Sequence, residues 1–181
     1  MAVYILVAII AYAIGSVNFS IIFSKKFAGF DVREKGSGNA GTTNMLRSVG
    51  KGLAALTLIC DILKGVVAVL VAFWIGKIAT NVKPEILVQL AGFFAVVGHT
   101  FPVYFGFKGG KGVATSLGIL LLINWQIGLI CLVFALLVMA LTRMVSLGSI
   151  MAAVLFPVLT IFITTGDNSC LLYTSPSPRD A

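Results

Sequence analysis

The sequence predicts an all-α membrane protein whose helices cross the bilayer several times. Hydrophobic residues make up 59% of its 181 residues and charged residues only 10%, whereas about a quarter of the residues of a soluble domain are charged. The apolar residues form runs that approach the roughly 20 residues that a helix needs to cross a bilayer, and short polar links separate them. We therefore expect one polytopic helical bundle over residues 1–166, with five to six spanning or partly spanning helices.

The apolar runs give the expected helices in order. They cover residues 3–23, 53–75, 85–105, 113–142 and 145–164. The first run has no basic stretch before it and continues directly into cations, which favours an uncleaved helix over a signal peptide. The fourth run is too long for one upright helix. It leaves two possibilities open: a hairpin of short helices that turns near Asn124 and Trp125, or one tilted helix.

The positive charges set the expected orientation, because short cytoplasmic loops concentrate Lys and Arg. Six cations lie between the first two runs: Lys25, Lys26, Arg33, Lys35, Arg47 and Lys51. We therefore expect this loop in the cytoplasm and the N-terminus outside. Two further crossings return Lys108 and Lys111 to the cytoplasm, with Lys77 and Lys83 as an external exception. Arg143 is cytoplasmic if the fourth run is a hairpin and external if it is one helix.

The positions of the charged, aromatic and cysteine residues disfavour several classes of function. The net charge is +7, but a nucleic-acid module carries its cations and interleaved aromatics on a solvated face, and here the aromatics lie inside the apolar runs. We therefore expect no nucleic-acid partner. Cys60, Cys131 and Cys170 lack a paired spacing, so we expect neither a disulfide framework nor a metal site.

The first polar loop contains "KGSGNAGTTNMLRSVGKG", residues 35–52. Gly36 and Gly38 permit positive φ, so that successive N–H groups can point at one anion. Hydroxyl, amide and guanidinium donors accompany them: Ser37, Asn39, Thr43, Asn44 and Arg47. Donors of these kinds suit a phosphate or another oxyanion. The alternative is a solvated, flexible loop whose cations only fix the topology.

The second polar segment is "GFKGGKGVATS", residues 106–116. It places two lysines among four glycines ahead of a helix-compatible segment, an arrangement in which N–H and ammonium groups can meet an anion. The candidate ligands are Lys108, Gly109, Gly110, Lys111 and Gly112. Gly112 follows Lys111 where a Walker A motif has Ser or Thr, which disfavours nucleotide hydrolysis. The alternative is a tight turn between helices with lysines that fix the topology.

Other polar residues interrupt the apolar runs. Asp61 and Lys64 share one helical face, which favours a structural ion pair at membrane depth, with orientation of the second polar segment as the alternative. His99, the only histidine, favours a structural hydrogen bond over a general base. Tyr104 occupies the position where acyltransferases with a His-x-x-x-x-Asp dyad have their acid. Ser146 is either a helix N-cap or a substrate ligand.

Four segments, "GSGNAGTTNMLR", "DILKG", "HTFPVYFGFKGGKGVAT" and "RMVSLGSI", occur in this order. Together they resemble the bacterial acyl-phosphate:glycerol-3-phosphate acyltransferases, the PlsY family, over about residues 1–166. The resemblance implies an integral inner-membrane enzyme of about seven helices with its motif loops in the cytoplasm. It implies transfer of a fatty acyl group from acyl phosphate, not from acyl-CoA or acyl carrier protein, to glycerol 3-phosphate. The product is 1-acylglycerol 3-phosphate, and no cofactor, metal or obligate protein partner is implied.

The resemblance also implies residue roles. Ser37 and Arg47, with Asn39 and Asn44, would hold phosphate and the reacting carbonyl. Residues 109–112 would bind the glycerol phosphate, and Ser146 would complete the site. The candidate catalytic residues are thus Ser37, Arg47, Lys111 and Ser146. The candidate substrate ligands are Gly36, Gly38, Asn39, Thr43, Asn44, His99, Lys108, Gly109, Gly110 and Gly112.

The end of the chain departs from the family pattern. Members continue after the last helix into a segment with a His-x-x-Asn-Ile pattern, whereas this chain reads "NSCLLYTSPSPRDA" and has no histidine after His99. We therefore expect residues 167–181 to be a disordered or foreign polar tail on a truncated chain.

The main alternative function is a transporter or channel for a phosphorylated small molecule, since phosphate-binding loops at helix ends would suit one. It is disfavoured because the sequence has no inverted repeat and no matching pair of broken helices.

Overall fold

The computed structural model describes residues 1–163, and every regular element in that range is helical. Five segments are long and apolar enough to cross a membrane: Ala2–Ala28, Lys51–Ile78, Pro84–Phe105, Trp125–Thr142 and Val145–Phe162. A shorter apolar helix covers Val113–Ile123. The predicted all-α bundle of five to six spanning or partly spanning helices is therefore confirmed. The tail expected from residue 167 lies outside the described residues.

The chain divides into two compact units, residues 1–119 and the residues from 120 onward. The helices of the first unit are α1 (Ala2–Ser16), α2 (Phe19–Phe23), α3 (Thr42–Ser48), α4 (Lys51–Ile78) and α5 (Pro84–Thr100), and α6 (Val113–Ile123) begins there. Within this unit α1, α4 and α5 pack on one another. This three-helix core positions the polar loops at its ends.

Glycines bring α1 and α5 into backbone contact. A Cβ on Gly15 would collide with the backbone of Ala95, and a Cβ on Gly98 would collide with the carbonyl oxygen of Tyr12. Small residues permit such close approach in membrane bundles, where tight packing contributes much of the stability. The C-terminal end of α5, which carries His99, is thereby fixed against α1.

The first apolar run is not the single helix that the sequence predicts. α1 ends at Ser16 and α2 begins at Phe19. Asn18 caps α2 by accepting a hydrogen bond from the Ile21 N–H at 3.3 Å, and it also accepts one from the Ser20 hydroxyl at 2.6 Å. An asparagine side chain that satisfies a helix N-terminus favours a new helix start over continuation. The prediction of one uninterrupted helix over residues 3–23 was therefore wrong.

The second unit contains α7 (Trp125–Thr142) and α8 (Val145–Ile163), which pack together. Asn124 interrupts the fourth apolar run and caps α7 by accepting the Ile127 N–H at 3.1 Å. A Cβ on Gly128 would lie 3.0 Å from the backbone nitrogen of Leu121, so the chain folds back on itself after α6. The fourth apolar run thus forms two helices that are interrupted at Asn124, not one tilted helix.

Candidate active site

Two polar loops of the first unit meet. The first loop, residues 29–41, lies between the π-helical turn Ser24–Ala28 and α3. The glycine loop, residues 106–112, lies between the 3₁₀ turn Val103–Phe105 and α6. The Ala40 N–H donates to the Gly109 carbonyl at 3.4 Å. The two segments that the sequence singled out are therefore neighbours in space.

Asn44, at the start of α3, holds the first loop in shape. Its Nδ2 donates to the carbonyl oxygens of Val32 and Lys35 at 2.8 and 3.0 Å, and its Oδ1 accepts the Ser37 N–H at 3.0 Å. The residue is buried, with 1% of its surface exposed. Asn44 was predicted as a substrate ligand, but its polar atoms are used by the backbone of the loop that carries Ser37.

Arg33 connects the two loops. Its Nε and Nη2 donate to the two carboxylate oxygens of Asp31 at 3.0 and 2.7 Å. Its Nη1 donates to the carbonyls of Phe105 and Lys108 at 2.7 and 3.0 Å. This guanidinium therefore crosslinks the first loop to the backbone of the glycine loop.

The Asp31–Arg33 pair is electrostatically favourable. The hydrogen bonds from Arg33 hold the pKa of the Asp31 carboxyl well below its usual range, and the carboxylate raises the pKa of the guanidinium. From the sequence, Arg33 was predicted only to help fix the topology. No local pattern could have revealed its role, because its carbonyl acceptors lie 72 and 75 residues further along the chain.

The glycine loop is attached through its backbone. The N–H groups of Gly109 and Gly110 donate to the carbonyls of Thr100 and His99, both at 3.1 Å. The last carbonyls of a helix have no intrahelical partner, so the loop satisfies the C-terminus of α5. A Cβ on Gly110 would collide with Nε2 of His99 and with the Ala40 carbonyl. Glycine is therefore required here by space.

The remaining candidate ligands differ in exposure. Ser37, Arg47, Lys108 and Lys111 are exposed, and Asn39 and Thr43 are half-buried. Three candidate glycines have left-handed φ values: Gly36 at 61°, Gly38 at 70° and Gly112 at 75°. Residues 35–52 and 101–116 contain no Asp or Glu. These two stretches thus offer cations and polar donors to an anion and contain no carboxylate that would repel it, while the acids of the first loop, Asp31 and Glu34, precede them.

Three buried polar side chains lie behind the glycine loop. Asp61 Oδ1 and His99 Nδ1 each lie 2.8 Å from Nζ of Lys64. Asp61 and Lys64, predicted to share a helical face of α4, are thus an ion pair. His99, at the end of α5, joins this pair and is 3% exposed.

Ser146 belongs to the second unit. α8 begins at Val145, so Ser146 lies inside the first turn and is not the N-cap that one interpretation of the sequence expected. Its carbonyl accepts a hydrogen bond from the Ser149 hydroxyl at 2.9 Å.

Comparison with known proteins decides the family. The sequence matches the profile described as glycerol-3-phosphate acyltransferase over residues 5–175. The chain belongs to this family. The glycerol-3-phosphate acyltransferase of Clostridioides difficile (strain 630) is 44% identical over 164 residues, which cover 88% of this chain and 78% of the relative. That of Mesorhizobium japonicum is 46% identical over 160 residues, with the same two coverages.

Solved structures agree with the family assignment. A crystal structure of PlsY, an integral membrane glycerol 3-phosphate acyltransferase, in its glycerol 3-phosphate form has a TM-score of 0.78 and 35% identity. The aligned region covers 90% of this chain and 78% of the PlsY chain. The lysophosphatidic acid form of PlsY has a TM-score of 0.75 and 33% identity, covering 90% and 77%. The resemblance noted in the sequence and the membrane bundle it implied are both confirmed.

Proposed function

We propose that this glycerol-3-phosphate acyltransferase family member moves a fatty acyl group from acyl phosphate to glycerol 3-phosphate. The product is 1-acylglycerol 3-phosphate, a phospholipid precursor. The observation that carries the proposal is the meeting of two glycine-bearing loops rich in donors, of which residues 35–52 and 101–116 contain no acid. Both substrates carry phosphate, so one site must accept two anionic groups. The relatives named as glycerol-3-phosphate acyltransferases support the same acceptor.

The reaction requires stabilisation of negative charge more than removal of a proton by the protein. The glycerol hydroxyl attacks the acyl carbon, an oxyanion develops on the carbonyl oxygen, and the bond from the acyl carbon to the phosphate oxygen breaks. The hydroxyl proton passes to the departing phosphate, which leaves as inorganic phosphate. Preorganised donors aimed at developing charge supply the largest catalytic term in reactions of this class.

Different exposed residues bind the two substrates. Ser37 and Arg47 hold the acyl phosphate and its carbonyl oxygen, because a hydroxyl and a planar guanidinium match oxyanion geometry. Lys108 and Lys111 bind the phosphate of glycerol 3-phosphate through their ammonium groups, because the N–H groups of Gly109 and Gly110 already donate to the carbonyls of α5. No protein carboxylate is required, because the leaving phosphate accepts the proton.

We place both loops on the cytoplasmic side of the bacterial inner membrane, with the N-terminus outside and no obligate protein partner. The six cations between the first two apolar runs support this orientation. Ser37→Cys in a chain without its own cysteines tests it. An impermeant maleimide should label this residue only after intact cells are opened, and labelling in intact cells would reverse the orientation.

The function is tested with purified protein in lipid bilayers, acyl phosphate and radiolabelled glycerol 3-phosphate. We expect labelled lysophosphatidate with acyl phosphate and none with acyl-CoA. Ser37→Ala and Lys111→Ala should each abolish most of the rate. The matched control is Lys77→Ala, which removes an exposed lysine from the last turn of α4, at the end of that helix away from the first loop. This variant should keep the wild-type rate. Uptake of glycerol 3-phosphate into vesicles without acyl product would favour the transporter and contradict the proposal.

A further inference from the structure

The ammonium group of Lys64, in the buried cluster behind the glycine loop, has three polar neighbours. Nζ of Lys64 lies 2.7 Å from the carbonyl oxygen of Val17 and 2.8 Å from Nδ1 of His99. It also lies 2.8 Å from Oδ1 of Asp61. A lysine ammonium has three N–H bonds and no acceptor. The Val17 carbonyl and Nδ1 of His99 lie within hydrogen-bond distance of this donor group, while Asp61 Oδ1 meets the ammonium as an ion pair without hydrogen-bond geometry.

The contact with Lys64 indicates which ring nitrogen of His99 carries the hydrogen, because Oδ1 of Asp61, the other polar neighbour of Nδ1, lies beyond hydrogen-bond distance at 3.6 Å. Because the ammonium of Lys64 can only donate, Nδ1 of His99 must accept. A neutral imidazole that accepts at Nδ1 carries its hydrogen on Nε2. Asp61 supplies the opposite charge without which a buried ammonium would be costly. The ion pair and the histidine tautomer are thus parts of one arrangement.

The Nε2 edge of the ring faces the back of the glycine loop. A Cβ added to Gly110 would collide with this nitrogen, which places the ring against the Cα of Gly110. The carbonyl of His99 accepts the Gly110 N–H at 3.1 Å. The backbone and the ring of a single residue therefore contact the same turn of the loop.

We propose that His99 is a positioning residue for the glycine loop, with its Nε2–H held toward Gly110 by Lys64 and Asp61. The inference rests on the proposed function, in which this loop binds the phosphate of glycerol 3-phosphate. The fixed N–H presents the positive end of a dipole to the anion site without a further buried charge, which would be costly. This role also explains why an ion pair is present at membrane depth, where ionisable groups cost free energy and usually serve a function.

The tautomer is directly measurable because His99 is the only histidine. Protein labelled with ¹⁵N-histidine in lipid bilayers should show one pyrrole-type nitrogen at Nε2 and one pyridine-type nitrogen at Nδ1. Glycerol 3-phosphate should shift the Nε2 resonance. A hydrogen on Nδ1 in the unsubstituted protein would overturn the proposal without any reference to enzymatic activity.

Two substitutions of His99 separate the position of the donor from simple packing. Glutamine places its amide donor near Nε2, whereas asparagine places its donor near Nδ1. We expect His99→Gln to keep KM for glycerol 3-phosphate within about threefold and His99→Asn to raise it about tenfold, the equivalent of one lost hydrogen bond. Values of kcat should change less than KM. Equal effects, or a better asparagine variant, would contradict the proposal.

The role of the ion pair is tested by removing both charges together, since a single substitution would leave an unpaired buried charge. In Asp61→Asn/Lys64→Met, the Nε2–H signature of His99 should give way to a mixture of tautomers, with a raised KM. An unchanged spectrum would show that Lys64 does not fix the ring. If the predicted spectrum and its response to glycerol 3-phosphate appear but no acyl product forms, only the proposed function fails.

Discussion

The two loops of the candidate site are held in place by opposite means. The first loop depends on side chains: the amide of Asn44 bonds three backbone groups, and Arg33 reaches across to the second loop. The glycine loop depends on its own backbone and leaves no space for a Cβ at Gly110. We therefore expect the first loop to be damaged when atoms are removed and the glycine loop when atoms are added.

The largest effect should come from Asn44→Ala. The substitution removes three hydrogen bonds of 2.8 to 3.0 Å, one buried and two partly buried, each of which contributes about 1 kcal/mol. We expect kcat/KM to fall about a hundredfold, since 1.4 kcal/mol corresponds to a factor of ten.

Ser48→Ala is the matched control for Asn44→Ala. The Ser48 hydroxyl makes only a long 3.4 Å hydrogen bond to Asn44, so its loss should change kcat/KM less than about threefold. Similar losses in the two variants would show that Asn44 has no special role in holding the loop.

Gly110→Ala should be next in size and tests the other side of the comparison. One added carbon collides with the Ala40 carbonyl and the His99 ring, and overpacking of this kind costs about 1–3 kcal/mol. KM for glycerol 3-phosphate should therefore rise about ten- to a hundredfold. Gly52→Ala is the matched control, because it adds the same carbon where no atom lies within 4 Å, and it should leave this KM unchanged. A wild-type KM for Gly110→Ala would mean that the loop is not confined.

Arg33→Lys should have a smaller effect and tests the connection between the loops. Lysine keeps the positive charge but cannot reach Asp31 and both carbonyls at once, because it lacks the planar fork. We expect about a tenfold loss of kcat/KM, equivalent to one to two hydrogen bonds. If the lysine variant behaves like the unsubstituted protein, charge alone accounts for Arg33.

The smallest effect should be the pH dependence contributed by Asp31. Its folded-state pKa is lowered by the hydrogen bonds from Arg33, so its stabilising contribution is complete above the unfolded pKa of about 4. The contribution should be lost as pH falls below that value. Thermal unfolding of the protein and of Asp31→Asn should differ by about 1 kcal/mol near pH 7, and the difference should shrink in acid. A difference that grows in acid would contradict the lowered pKa.

The sequence was informative about features that depend on local composition. Apolar runs predicted the spanning helices, and the glycine and lysine patterns located both loops. The break at Asn18 was missed because residues 3–23 have the length of one spanning helix, whereas the extra length of residues 113–142 indicated a turn near Asn124. Arg33 was missed because its acceptors at Phe105 and Lys108 are remote in the chain. Asn44 was placed among ligands because composition does not distinguish a donor that meets substrate from one that holds the loop.

The central claim is that the two loops form one site, so that the first loop, which carries the acyl phosphate ligands, also supports the binding of glycerol 3-phosphate by the glycine loop. A double-mutant cycle tests it most directly, with equilibrium affinity for glycerol 3-phosphate measured in the unsubstituted protein, Asn44→Ala, Gly110→Ala and the double variant. Residues that act on one site show coupling energies of about 0.5–3 kcal/mol. We predict that the double variant loses clearly less affinity than the sum of the single losses. Strictly additive losses would mean that the two loops bind independently and would contradict the claim.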